Sequence, residues 1–181
     1  MAQLPTTSFA ILGLLDGCPM SGYQLSNAIS GSIAHFWPVT RTLVYRELSR
    51  LESSGLVVGG DVAQDGVPDK REYETTASGR EALLDWLSEP GFESPRPRNG
   101  LLVKLFFGDR LPGEKVAELL QIARTRAQAA RDELDAIADG LRDDPGQRFP
   151  WATARYGVAH HEAELAWIDE MERTLLPGEE G

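Results

Sequence analysis

Apolar residues in the stretch 36–56 recur with a helical period. Val44, Leu48 and Leu51 fall at i, i+4 and i+7, which puts them in one stripe on a helix. Pro38 breaks what precedes it and is placed to open this helix, and Gly55 is placed to stop it. Leu56-Val57-Val58 then reads as the start of a strand. Opposite the stripe lie Thr42, Arg46, Ser49 and Ser53, with Tyr45 at the flank. Hydroxyls, a guanidinium and a phenol on one short helix suit phosphates and base edges in a major groove. The plain alternative is an amphipathic helix with a solvated face, and the helix alone does not decide between them.

Two helical segments precede it. Residues 4–15 are nearly all apolar at Phe9, Ile11, Leu12, Leu14 and Leu15, with Thr6, Thr7 or Ser8 as cap, so this helix should be buried on most sides. Residues 21–29 form the second, with Ser21 as N-cap and a narrow apolar side from Tyr23 or Leu25 with Ile29. Three short helices, the third with a polar face, follow the order of a helix-turn-helix unit. A polar loop over 61–69, with Asp65-Gly66 and Pro68 at the turn, leads to residues 70–75, which can pair back on the first strand. A two-stranded ribbon there is a wing, with Lys70 and Arg71 at its tip to reach a phosphate or the minor groove. A helix over 76–87 packs through Leu83, Leu84 and Leu87.

The second half of the chain is helical. Residues 89–99 hold Pro90, Gly91, Pro95 and Pro97 and read as a connector, and 101–107 make a short, strongly apolar helix. The longest helix opens at 111–114 and runs to about residue 142. Val116, Leu120, Ala123, Ala127, Ala130, Leu134, Ile137 and Leu141 alternate at four and three along it, which is a heptad seam. A last helix runs from Trp151 to about residue 176, with Val158, Leu165, Ile168 and Leu175 on one stripe and Met171 adding apolar surface. Apolar on more than one side, it calls for a partner within the chain and a second chain against it. The expected organisation is mainly α: a winged helix-turn-helix domain of three helices plus a two-stranded wing over 1–88, a Pro-rich connector over 89–100, a helical dimerisation and effector domain over 101–176, and a disordered acidic tail over 177–181.

Bulk composition narrows the function. The 181 residues, 41% hydrophobic and 25% charged, are those of an ordinary globular chain. No apolar run approaches membrane-spanning length and no signal-peptide pattern appears, so no membrane partner and a cytosolic location are expected. The lone Cys18 excludes an internal disulfide framework and a cysteine-based zinc site. The net charge of -10 argues against nonspecific coating of nucleic acid. Through Ser88 there are 6 Lys+Arg against 10 Asp+Glu, so a DNA reader here must gather its few cations on one surface and respond strongly to salt.

Catalytic motifs are missing. No P-loop, dinucleotide fingerprint or nucleophile elbow is present, and Gly59-Gly60 is too short to cradle a phosphate. No enzymatic activity and no cofactor are expected. His160 and Glu164, at i and i+4, share a helical face, but two donors are not a site and no metal is assigned to them. Trp151, Tyr156 and Trp167 are candidates to line a pocket for a flat phenolic or polycyclic effector, with the dimer core as their alternative role.

The ordered set of motifs resembles the PadR family of winged-helix transcriptional regulators, in the longer subgroup with an extended helical C-terminal domain. It rests on Phe9-Ala10-Ile11-Leu12-Gly13-Leu14-Leu15, Ser21-Gly22-Tyr23-Gln24-Leu25, Phe36-Trp37-Pro38-Val39-Thr40, the run from Val44 through Leu56, the run from Glu72 through Arg80, Leu101 through Gly108, and the helix bearing Trp167. The resemblance implies a homodimer that grips a palindromic DNA operator as a repressor and is released by a small aromatic or phenolic effector. It implies that the third helix enters the major groove and that Tyr45 approaches the DNA backbone. Two positions depart from the family's habit: Val67-Pro68-Asp69-Lys70-Arg71 stands where a Gly-Arg-Pro-Arg/Lys run is common, and Arg46 stands where proline is common. The DNA contacts expected are Thr40, Arg41, Thr42, Tyr45, Arg46, Ser49 and Arg50 on the third helix and Lys70 and Arg71 on the wing. The dimer contacts expected are Val158, Leu165, Ile168, Met171 and Leu175. A rival reading is a helical protein-interaction adaptor that kept the winged fold without DNA binding, which the negative first domain supports.

Overall fold

The computed structural model describes residues 4–62, 70–92 and 98–176. The loop positions Val67, Pro68 and Asp69, residues 93–97 of the connector and the tail 177–181 lie outside the described residues. The chain divides into two compact units, 1–94 and 95–181, each described by itself below.

The first unit carries α1 (Thr6–Gly17), β1 (Met20–Ser21), α2 (Gly22–Ser30), α3 (Arg41–Ser53), β2 (Val57–Val62), β3 (Lys70–Thr75) and α4 (Ala77–Ser88). Local chemistry sets the boundaries. Ser21 and Gln24 form a capping box at α2, with the Gln24 amide donating to Ser21 Oγ and the Ser21 amide to Gln24 Oε1. Helix α3 begins at Arg41, not at Pro38, because Thr40 supplies the side-chain oxygen that accepts from the Leu43 amide. At its far end Gly55 takes φ +71, the Leu56 amide donates to Leu51 O and the Gly55 amide to Glu52 O. That is a Schellman ending, and it turns the chain into β2.

Strand β2 continues through Gly59 and Gly60 to Val62, further than the sequence suggests, and pairs antiparallel with β3 from Val57↔Thr75 to Val62↔Lys70. The sheet has a third strand, β1, on the other side of β3, in the order β1-β3-β2. Ile11, Leu12, Leu25, Ile29, Val44, Leu48, Leu51 and Val57 close the core, each fully buried aliphatic adding about 1.5–3 kcal/mol. Helix α4 joins through Leu83 and through Trp86, which stacks flat on Phe9 with centroids 4.8 Å apart. Leu84 and Leu87, expected in that contact, are exposed instead, because the face at 79, 83 and 86 is the one turned inward. Gly79 makes this approach possible: a Cβ there would stand 2.0 Å from Leu56 O.

The second unit holds α5 (Gly100–Phe106), α6 (Gly113–Leu141) and α7 (Arg148–Leu175). Asn99 caps α5 by accepting from the Leu101 and Leu102 amides. Helices α6 and α7 run antiparallel, as their cross-pairs show: Arg124 meets Asp169 and Glu172, and Arg155 meets Asp135. The two carboxylates that accept from Arg124 raise its guanidinium pKa further, Asp169 most. Where α7 crosses Leu134 it carries Gly157, whose Cβ would lie 2.7 Å from Leu134 Cδ1. Of the predicted seam Val116, Leu120, Ala127 and Leu134 are buried, and Ala123, Ala130, Ile137 and Leu141 are half-buried.

Two of the residues expected at the dimer contact are enclosed within the single chain. Val158 is 1% and Ile168 0% exposed, both inside the chain, Ile168 packed with Val116 and Leu120. At these two positions the stripe faces the interior of the second unit, Ile168 toward α6. Met171 packs on the same cluster, Leu165 is half-buried and Leu175 is exposed.

Candidate nucleic-acid interface

The buried stripe of α3 orients everything else on it. With Val44, Leu48 and Leu51 inward, Arg41, Thr42, Tyr45, Arg46, Ser49 and Arg50 are all exposed on the remaining surface. Thr40, also exposed, serves as the N-cap, leaving its hydroxyl proton free to donate. Ser49 donates to the Tyr45 carbonyl and Ser53 to the Ser49 carbonyl, so both hydroxyls meet an incoming group as acceptors. The Tyr45 ring is seated against the start of α2: a Cβ on Gly22 would lie 2.4 Å from its Cε1. That contact fixes the phenol while leaving its edge to solvent.

Beneath this surface is a buried carboxylate that the sequence reading missed. Glu47 is 1% exposed, accepts from Ser8 Oγ at 2.8 Å, and lies 3.5 Å from Arg50 and 3.6 Å from Arg46. It joins α1 to the two arginines from below. A signal was available, since position 47 lies between 44 and 51 on the apolar stripe. Ser8, 39 residues away, gave none. Of Tyr23 and Leu25, the alternatives for the apolar side of α2, Leu25 is the buried one, and Tyr23 is exposed with the Arg41 guanidinium 5.1 Å from its ring centroid, a cation–π contact.

The wing cations are engaged differently. Lys70 Nζ pairs with Glu72 at 2.7 Å. Arg71 donates to Glu52 Oε1 at 2.7 Å and to Asp61 Oδ1 at 3.2 Å, and the hydrogen bond it donates to Glu52 is the largest cause holding its pKa above the usual value. Glu52 also accepts from the Gly59 amide. A Cβ on Gly59 would stand 2.7 Å from both Glu52 Oε1 and Arg71 Nε, so the glycine makes room for the bridge that ties the wing to α3. Among the described residues, Arg41 alone of the five candidate cations has no carboxylate within 4.0 Å.

The three candidate effector aromatics in the second unit do not gather. Tyr156 is 72% exposed, Trp167 packs on Val116, Leu120 and Ile168, and Trp151 is half-buried near the start of α7. The Trp151 indole N–H is enclosed and has no acceptor among the described residues.

Comparisons with known proteins agree with this architecture. Residues 11–85 match the model of the PadR-like family of transcriptional regulators, and residues 97–175 match the model of the C-terminal region of virulence activator alpha. The chain is 30% identical over 183 residues to the probable transcriptional regulator Rv1176c of Mycobacterium tuberculosis, covering 92% of this chain and 95% of that one. It is 26% identical over 133 residues to the negative transcriptional regulator PadR of Bacillus subtilis, covering 74% and 73%. Its fold is shared with the crystal structure of Bacillus subtilis PadR in complex with operator DNA, with a TM-score of 0.86 at 20% identity over 94% of this chain and 99% of that one. The same PadR has been solved with p-coumaric acid, at a TM-score of 0.78 and 18% identity over 98% and 100%. A winged unit with an outward-facing third helix, a paired-helix second unit and a relative of nearly full coverage lead to one assignment: the chain belongs to the PadR-like family of transcriptional regulators.

Proposed function

We propose that this protein is a homodimeric repressor that binds a palindromic DNA operator through α3 and the wing and is released by a small aromatic or phenolic effector. The observation that carries the proposal is the α3 face: Thr42, Tyr45, Arg46 and Ser49 stand exposed together, opposite the stripe that anchors the helix in the core. Such a helix supplies base-edge donors and acceptors at the spacing of a major groove. Similarity to a regulator solved with operator DNA and with p-coumaric acid supports both ligands. The first unit is the DNA reader and the second the dimerisation and effector domain. Transcriptional control assigns no reaction to the chain, and the site of action is the cytosol.

Val158 and Ile168 being internal, the dimer surface falls to apolar groups left open in the single chain, Leu102, Val103, Phe106 and Leu175. The three aromatics stay the candidates for the effector, Trp151 among them with an enclosed indole N–H that has no acceptor among the described residues. Gel-shift titration against the DNA upstream of the protein's own coding region is the test. Binding there well above random competitor is expected. If no duplex is bound more tightly than random competitor at low salt, the repressor reading is lost and the adaptor reading takes its place.

A further inference from the structure

We propose that His160, His161 and Glu164 on α7 form a binding site for a divalent transition-metal ion, with zinc, cobalt or nickel as the fitting class. Helical spacing alone puts two donors, His160 and Glu164, on one face. The structure brings in a third. One donor atom from each of the three residues lies within 4.8 Å of the others, although His161 follows His160 directly in the chain.

The spacing is near that of a coordinated set. Two atoms bound tetrahedrally to zinc at about 2.0–2.1 Å stand about 3.3 Å apart. His161 Nδ1 and Glu164 Oε2 are already 3.1 Å apart, held by a hydrogen bond that an ion would replace. The His160 and His161 rings lie 5.2 Å apart with planes crossing at 71°, so rotation of side chains brings the remaining donor in. The backbone stays as it is, because all three residues sit inside the continuous helix Arg148–Leu175.

Donor chemistry selects the ion. Two imidazoles and one carboxylate favour borderline transition metals over magnesium or calcium, which prefer oxygen alone. Three protein donors leave one tetrahedral position open to water or to a further ligand. Space exists for it: His161 and Glu164 border a groove of about 620 Å³ between α5, α6 and α7. Lys104 and Arg126 line the same groove. Their charge opposes the cation, Glu164 offsets part of it, and together they favour an anionic fourth ligand. All of its residues belong to the second unit, apart from the helix proposed to meet DNA.

The test uses untagged full-length protein, stripped with a chelator and exchanged into chelator-free buffer at about pH 7.5, where free imidazole is neutral. Zinc is titrated by calorimetry and cobalt by visible absorption. One ion per chain is expected, with the cobalt spectrum of a nitrogen- and oxygen-ligated site. His161→Ala and Glu164→Gln should each weaken zinc binding by more than about tenfold, the least that loss of even an outer partner costs. His160 is exposed, so His160→Ala keeps the fold and should weaken binding likewise. The chain has 3 histidines, and His35→Ala, in the other unit, should leave binding unchanged. Absence of saturable binding overturns the proposal. So does saturable binding that survives His161→Ala and Glu164→Gln, or that is lost with His35→Ala.

Discussion

The two units solve the burial problem in different ways. In the first, side chains from α1, α2, α3, α4 and β2 meet around one centre, and Ile11, Leu12, Leu25, Leu48 and Leu51 are all but inaccessible. In the second, two long helices share a thin seam in which Val116, Leu120 and Ile168 form the buried cluster. Its apolar surplus stays outside: Phe106 is 80% exposed, and Leu102, Val103 and Phe107 are open beside it. A winged unit that closes on itself needs no partner to fold. A helix pair with open aromatics has the composition of half an interface.

Substitution in the two kinds of apolar position should separate them. Ile168→Ala removes a fully enclosed side chain and should cost about 2–5 kcal/mol. Ile168→Glu goes further and should unfold the second unit instead of yielding a clean monomer. Phe106→Glu touches solvent already, so helix content should hold while sedimentation shifts from dimer to monomer. An intact dimer in that variant, measured at micromolar concentration, would move the interface away from α5. If Ile168→Ala unfolds at the same denaturant midpoint as the parent, the seam between α6 and α7 is not the core described here.

A second contrast lies within the reading surface, between arginines steadied from below and arginines held from the side. Glu47→Gln keeps the shape and removes the buried charge. It should cost about 1–3 kcal/mol of stability through the weakened Ser8 bond. Specific operator binding should fall while binding to random duplex holds or rises, since one negative charge has left the layer beneath the two arginines. Equal losses on both duplexes would make Glu47 a packing residue only. Arg46→Ala should weaken operator binding by about 1–3 kcal/mol if the guanidinium meets a base edge. A uniform loss across sequences would assign it to phosphate.

What the sequence revealed follows the same division. Periodicity found α3 and its stripe, because Val44, Leu48 and Leu51 repeat locally, and Gly55 and Ser21 marked real boundaries, because capping chemistry is local too. Strand β1 was invisible: two residues make a strand only when Tyr73 and Glu72 arrive beside them from more than fifty positions along the chain. Pro38 misled, since Thr40 supplied the better cap. For α7 the stripe at 158 and 168 was legible but its owner was not. A pattern says which face is apolar, and only packing says whether the chain itself or a second copy covers it. At the candidate site, exposure of the α3 residues followed from the stripe, whereas the bonds of Glu47 to α1 and of Arg71 to α3 depend on approaches that no spacing encodes.

The wing offers the smallest and sharpest effect. Arg71 is expected on phosphate, yet Glu52 and Asp61 both accept from it. Their carboxylates hold the guanidinium in place and cancel its charge, which suits a protein that must ignore most DNA. Glu52→Gln removes one of them and weakens the tie of the wing to α3, while Asp61, opposite Arg71 across the ribbon, still accepts from it. If Arg71 then reaches a phosphate, the slope of log affinity against log salt on random duplex should steepen by roughly 0.9, the value for one added contact. Glu52→Gln combined with Arg71→Ala should restore the original slope. An unchanged slope in Glu52→Gln alone would mean that the wing stands clear of the backbone, leaving Arg41, Arg46 and Arg50 on α3 as the cations that meet the DNA.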